Sequence, residues 1–149
     1  MHRAPQEIRT YFITTVTAQR RRLFQVSATA ELLSQTIFDY RGQSRFFLHA
    51  FVIMPDHLHL LLTPASEVSL ERAIQFIKGG FSFRLKSKLE VWERGFNESQ
   101  ILTPKKYTAC QSYIEMNPVR KRLVNTPEDY PYSSATADEL DETPTHLRG

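Results

Sequence analysis

His57 and His59 stand two residues apart in the run Met54-Pro55-Asp56-His57-Leu58-His59-Leu60-Leu61-Leu62-Thr63-Pro64. In a β-strand, residues i and i+2 point to the same face. The two imidazoles then project together, while Leu58 and Leu60 face the other way into a core. Neutral imidazole is the commonest metal-ligand side chain, and two on one strand face can share a divalent ion. The plain alternative is a polar stripe on a half-buried strand. Two ligands do not complete a metal site, so a third has to come from elsewhere in the chain.

Tyr113 and Asn117 stand four apart, a spacing that puts both on one face of an α-helix. If that face meets His57 and His59, the helix delivers a carboxamide oxygen as third ligand and a phenol as nucleophile. A hard ion such as Mg²⁺ or Mn²⁺ accepts oxygen and imidazole ligands and keeps positions open for substrate oxygens. Such an ion polarises and orients a scissile phosphate. A phenol is a weak nucleophile until a metal or nearby cations favour the phenolate. Structural alternatives stand beside each residue. Asn117 precedes Pro118 and is by default a helix N-cap. Tyr113 is one of six tyrosines, and composition does not choose it over Tyr107. Glu115 falls on a different helical face and reads as surface.

Around these residues the chain alternates strands and helices. Thr10–Thr17 is rich in β-branched and aromatic residues, a strand signature; residues 1–8 before it read as a loose terminus. Gln19-Arg20-Arg21-Arg22 reads as a polar loop. Ser27 opens a helix to about Arg41, with Leu33, Ile37 and Tyr40 at helical spacing and Gly42 as a stop. Phe46–Met54 and His57–Thr63 read as a β-hairpin turning at Pro55-Asp56. Ser69 opens a second helix whose stripe is Leu70, Ile74, Ile77, Phe81 and Leu85. Gly79-Gly80 inside it implies a kink, a break or a close backbone approach, at roughly 1 kcal/mol per glycine relative to alanine. Val91 to Ile101 reads as a strand or a strand pair around Gly95. Thr103 caps a third helix with Pro104 at its first position. Pro118 predicts the end of that helix, with Asn117 as N-cap of a second short one. The order is the βαββαβ pattern of a ferredoxin-like α+β layer: an antiparallel sheet with helices on one face, plus a C-terminal helix to carry the phenol.

The chain has 149 residues, one domain's length, with 41% apolar and 23% charged residues. No apolar run reaches membrane-spanning length and no signal-peptide pattern opens the chain. Cys110 is the only cysteine, which fits a reducing cytoplasm. The expected location is therefore cytoplasmic, away from membranes. The net charge of +3 is unevenly spread. Residues 138–149 carry −3, which leaves +6 on residues 1–137. We divide the chain into a catalytic domain, 1–136, and an acidic C-terminal tail, 137–149. Arg20-Arg21-Arg22, Lys105-Lys106 and Arg120-Lys121-Arg122 are compact basic clusters, either a solvated surface or the electrostatic footprint of a phosphate-rich partner.

Four segments together resemble one family: Phe51-Val52-Ile53-Met54-Pro55-Asp56-His57-Leu58-His59-Leu60-Leu61, Trp92-Glu93-Arg94-Gly95-Phe96, Tyr113-Ile114-Glu115-Met116-Asn117-Pro118-Val119-Arg120, and Asp129-Tyr130-Pro131-Tyr132-Ser133-Ser134. The sequence resembles the single-tyrosine transposases of the insertion-sequence type, within the His-hydrophobic-His nucleases, and among them the REP-associated branch. The resemblance covers roughly residues 8–136. It implies a ferredoxin-like domain that cleaves and rejoins single-stranded DNA at hairpin-forming elements through a 5′-phosphotyrosine. It makes Tyr113 the catalytic residue and His57 and His59 the metal pair, with Asn117 in the place of the polar residue that completes the site; some relatives carry glutamine there. Two departures bear on DNA preference rather than on the chemistry. Arg120-Lys121-Arg122 is more basic than the usual Arg-Ala-Gly, and Asn97-Glu98-Ser99 replaces a stretch that often carries Asp-His or Asp-Arg.

The expected function is thus a Mg²⁺- or Mn²⁺-dependent transposase that is a monomer, as the REP-associated branch suggests, or a homodimer exchanging tyrosine helices, as the insertion-sequence branch does. One rival is a hairpin-binding protein that has lost catalysis. Another is a phosphoesterase with two His-x-Ser/Thr motifs, but His2, His49 and His146 are followed two residues later by Ala4, Phe51 and Arg148.

Overall fold

The computed structural model describes residues 7–148. Most of the stretch read as a loose terminus lies outside them. Four strands form one antiparallel sheet: β1 (Thr10–Val16), β2 (Phe46–Met54), β3 (His57–Pro64) and β4 (Asn97–Ile101), in the order β2-β3-β1-β4. Helices α1 (Ser27–Gly42) and α2 (Leu70–Leu85) pack on one face, and α3 (Pro104–Arg120) covers the other. This is the α+β ferredoxin-like arrangement.

The alternation along β3 decides everything that follows. Leu58, Leu60 and Leu62 are fully buried against α1 and α2, while Leu61 joins the core under α3. Each such leucine is worth about 1.5–3 kcal/mol on burial. A one-residue slip would drive the imidazoles into that core, so apolar burial fixes the register of the histidines. The hairpin turn is itself pinned from outside. Thr17 N–H and its hydroxyl donate to the Asp56 carbonyl at 3.0 and 3.1 Å, and Phe24 N–H donates to the Pro55 carbonyl at 3.1 Å.

Helix α2 runs unbroken through Gly79-Gly80. A Cβ at Gly80 would meet the Tyr40 ring of α1 at 2.6 Å, so of the three readings the close approach holds. Beyond α2, Trp92 makes only an isolated bridge to Thr17, and the strand proper is confined to β4. Here the expectation of a long strand or pair from Val91 gives way to a loop.

The expected break at Pro118 is also corrected. Helix α3 continues through Pro118 to Arg120, so Asn117 is not an N-cap. Proline forfeits one backbone bond, to the residue four before it. In the last turn the cost is limited, because Lys121 N–H still reaches the Asn117 carbonyl and Leu123 N–H the Pro118 carbonyl.

The segment after α3 closes the free edge of β2. Ile53 N–H donates to the Tyr132 carbonyl at 2.8 Å and the Tyr130 hydroxyl to the Ile53 carbonyl at 2.5 Å. Farther on, Asp141 takes Arg41 on both carboxylate oxygens at 2.9 and 3.0 Å and the Leu48 N–H at 2.7 Å. The acidic tail is anchored to the sheet rather than loose.

Candidate active site

The elements bring three of the sequence-derived residues, His57, His59 and Tyr113, to one place. β3 is an inner strand, and its α3-facing side presents His57 and His59 with ring centroids 4.7 Å apart in a T-shaped arrangement. Helix α3 crosses this side and lays the Tyr113 ring 5.8 Å from the His59 ring. Phe12 of β1 lies against both, at 5.3 Å from His59 and 5.9 Å from Tyr113. Tyr113 is 45% exposed. Tyr107, the rival tyrosine, is buried at the other end of α3 against His49. Of the two tyrosines, Tyr113 is the one beside His59 of the pair.

Each imidazole is held by its Nδ1. His57 Nδ1 lies 2.7 Å from the Asp56 carboxylate, and His59 Nδ1 lies 2.8 Å from the Thr14 hydroxyl. A carboxylate only accepts, so the proton of neutral His57 sits on Nδ1 and the Nε2 lone pair is free. Such outer partners orient metal-ligating histidines and raise their basicity. Burial pushes His59 down to about 3, helped by repulsion from His57 whenever that ring is protonated and by the positive charges of Arg120 and Lys121. It is a neutral imidazole at any ordinary pH, the form that binds metal. Burial alone would raise the Asp56 carboxyl, but the His57 hydrogen bond and charge, with Arg20 behind them, hold it below its usual value.

Asn117 supplies the third candidate ligand. It is 2% exposed, and its Oδ1 is buried with no hydrogen-bond partner among the described residues. A buried carbonyl oxygen left unpaired costs roughly 1–3 kcal/mol, so an orphan in a folded core asks for a reason. Asn117 lies one helical turn beyond Tyr113 on the same face. Among the described residues no three of histidine, cysteine, aspartate and glutamate cluster to hold a metal, so a carboxamide is the fitting complement to the two imidazoles. Glu115 is turned away, accepting a bond from the Ser134 hydroxyl at 2.9 Å. Two free imidazole nitrogens and one unpaired oxygen suit a divalent ion that tolerates mixed N/O ligands.

The basic clusters divide. Arg120 lies with its guanidinium carbon 4.2 Å over the Tyr113 ring and donates to the Tyr113 carbonyl at 2.7 Å. Lys121 and Arg122 are exposed just beyond it. Arg20 reaches the same neighbourhood through Asp56, at 3.4 Å. Arg21 is tied back to the Ala18 and Glu90 carbonyls, while Arg22 is exposed. Lys105 and Lys106 are exposed at the opposite end of α3. They lie about 10–12 Å from Tyr113 along the helix axis at 1.5 Å per residue. The structure does not gather these two into the site.

Sequence reasoning missed Thr14 and the role of Asp56. Asp56 reads as a turn residue, though its place next to His57 was the available signal. Thr14 had none, because its contact depends on a strand register set 45 residues away.

Residues 8–117 match the family described as Transposase IS200 like. A REP-associated tyrosine transposase of Escherichia coli (strain K12) is 27% identical over 139 residues, covering 89% of this chain and 84% of that protein. Among solved structures, a REP-associated tyrosine transposase bound to a REP hairpin superposes with a TM-score of 0.77 at 23% identity, over 99% of this chain and 96% of that one, a likeness of fold. With the match spanning the sheet, the histidine pair and the tyrosine helix, the chain belongs to the IS200-like transposase family.

Proposed function

We propose that this chain is a divalent-metal-dependent transposase that cuts and rejoins single-stranded DNA at hairpin-forming repeats. The observation that carries the reading is the packing of the Tyr113 ring beside His59, with the orphaned Asn117 oxygen one turn on. A structural relative bound to a REP hairpin supports hairpin DNA as the partner. His57, His59 and Asn117 would hold the ion. When bound, Mg²⁺ or Mn²⁺ supplies polarisation of the scissile phosphate.

The residues of the chain do the rest. Asp56 and Thr14 keep both imidazoles turned with Nε2 toward the site. Arg120 stacks on the Tyr113 ring and fixes the direction of the phenol. The Tyr113 oxygen forms a bond to phosphorus as the bond from phosphorus to the 3′ oxygen breaks. The phenol gives up its proton and the departing oxygen gains one. The products are a 5′-phosphotyrosine and a free 3′-hydroxyl. Attack by a 3′-hydroxyl on that link re-forms a diester and frees the tyrosine, so no external energy source is needed. Arg20, Arg120, Lys121 and Arg122 hold the backbone near the cut, while Arg21, Arg22, Lys105 and Lys106 contribute to the wider field. The contact of the Tyr113 ring with His59 of the same chain supports a site built within one chain.

The test is a covalent adduct. Incubation with hairpin-bearing single-stranded oligonucleotides and Mn²⁺ should give a protein–DNA species stable to denaturing gels. Tyr113→Phe and excess chelator should each abolish it. An adduct that persists in Tyr113→Phe means another nucleophile. Metal-independent hairpin binding with no adduct on any substrate would identify the silent binding protein instead.

A further inference from the structure

Beside the histidine pair, on the β4 side of the sheet, lies a polar groove of about 280 Å³ whose floor is Thr14, Val16 and Asn97 and whose wall is the loop Glu93–Phe96. Directly paired residues on antiparallel strands share a face. Thr14 pairs with His59, Val16 with His57, and Asn97 with Thr14. The groove floor is therefore the lateral continuation of the surface that carries the imidazoles. Thr14 belongs to both, since its hydroxyl holds His59 Nδ1.

The wall is irregular but rigidly built. Lys78 of α2 donates to the Glu93 and Gly95 carbonyls at 3.1 and 2.7 Å, and Trp92 Nε1 donates to the Lys78 carbonyl at 3.0 Å. Glu93 N–H reaches the Val16 carbonyl at 2.8 Å. Burial lowers the pKa of the half-buried Lys78 ammonium, and the Glu93 carboxylate, which also lines the groove, partly offsets this from a distance. Gly95 takes φ +78°, which a side chain would strain, and so turns the loop between Arg94 and Phe96. Arg94 is exposed and has no ion-pair partner among the described residues. A fixed loop that presents one unpaired guanidinium, above a floor bearing an exposed carboxamide, is a recognition device rather than a structural one. A guanidinium pairs with phosphate in a bidentate manner. A carboxamide offers both donor and acceptor to a base edge.

We propose that this groove receives the one nucleotide next to the scissile phosphate, Arg94 holding its phosphate and Asn97 reading its base. The volume suits a single nucleotide unit rather than a duplex, which places the single-stranded segment here and the hairpin stem outside. The inference rests on the strand-cleaving reading and deepens it: cutting preference would be set at a position flanking the cleavage point by residues outside the chemistry.

The test uses full-length protein and hairpin oligonucleotides with every base in turn placed on each side of the cut, or removed to an abasic site. Wild-type protein should discriminate among bases at one flanking position and lose that discrimination with the abasic site. Asn97→Ala should cleave all bases at that position alike. Arg94→Ala should weaken binding about fivefold and flatten the logarithmic salt dependence by about 0.7, one phosphate's share on a single strand; Arg94→Lys should restore the salt slope. Both residues are exposed, so both variants should fold, which circular dichroism checks. If Arg94→Ala and Asn97→Ala match wild type in salt slope and base preference while Tyr113→Phe still abolishes the adduct, the groove assignment is wrong and the transposase reading stands. If wild-type protein forms no adduct at all, both fall together.

Discussion

Two histidine sites share the α3-facing side of the hairpin, and only one of them is open. At the far end, His49 is the extra residue at a bulge in β2 and is 2% exposed. Its Nε2 meets the Thr63 hydroxyl at 2.8 Å and its Nδ1 the Asp141 carbonyl at 3.3 Å, and Thr63 is bonded onward to Thr10 at 2.7 Å. At the near end, His57 and His59 are each held by Nδ1 alone. An imidazole with both nitrogens satisfied by protein is a fastener, here clipping the C-terminal segment to the sheet. An imidazole with one nitrogen fixed and the other free is preorganised for a ligand. Burial alone does not tell them apart, since it depresses the titration of His49 and His59 alike. The use of the second nitrogen does.

The largest expected effect comes from exchanging damage between the two ends. His57→Ala with His59→Ala should abolish the metal-supported adduct, a loss of about a thousandfold or more on the scale of a removed catalytic metal. Calorimetric titration with Mn²⁺ should show no site. His49→Ala should leave the adduct yield per folded molecule unchanged. It should lower stability by about 2–3 kcal/mol, because it strands Thr63 and the Asp141 carbonyl. Chemical denaturation measures this directly. Equal loss of adduct at both ends would break the distinction.

Asn117 sharpens the same contrast, because its effect should change sign with the metal. Asn117→Leu keeps the volume and removes an unsatisfied acceptor. Without metal the variant should be as stable as wild type, or up to about 1 kcal/mol more so. Its Mn²⁺ affinity should fall about a hundredfold, and the rise in melting temperature that Mn²⁺ gives wild type should shrink accordingly. A variant clearly less stable in chelator would show that the carboxamide serves packing instead.

How much of this was legible in sequence follows from the range of the interactions. The histidine face and the Tyr113–Asn117 face could be read because strand and helix have periods of two and about four. The leucines beside the histidines announced which side was core. Pro118 misled, because the rule that proline ends a helix ignores position: near the last turn only one bond is lost. Thr14, Asp141 and Arg41 were invisible for another reason. Their contacts join segments 45 to 100 residues apart, and only the sheet order and register bring them together. Arg94 was visible as a residue in a recognisable segment. Its freedom from any ion pair, and the groove beneath it, depend on Lys78 and Trp92 holding the loop.

The smallest predicted effect concerns pH, and it separates the two ends by degree. Folded His59 titrates at about 3, against an ordinary value of 6.5. Between those limits the unfolded chain binds a proton that the folded chain refuses. Stability is therefore complete above about 6.5 and is lost progressively as pH falls toward 3, by at most about 2 kcal/mol between pH 7 and pH 5 for this one group. His49 shifts in the same direction, so wild type carries both contributions. His59→Asn, which cannot titrate, should flatten the dependence of unfolding free energy on pH over that interval. Mn²⁺ should steepen it in wild type, since the ion binds only the neutral imidazole and is displaced by protons. In His49→Asn the Mn²⁺-induced steepening should survive intact, because a fastener has no free nitrogen for the ion to claim. If Mn²⁺ leaves the wild-type slope unchanged from pH 7 to pH 5, the open nitrogens at the near end are not metal ligands.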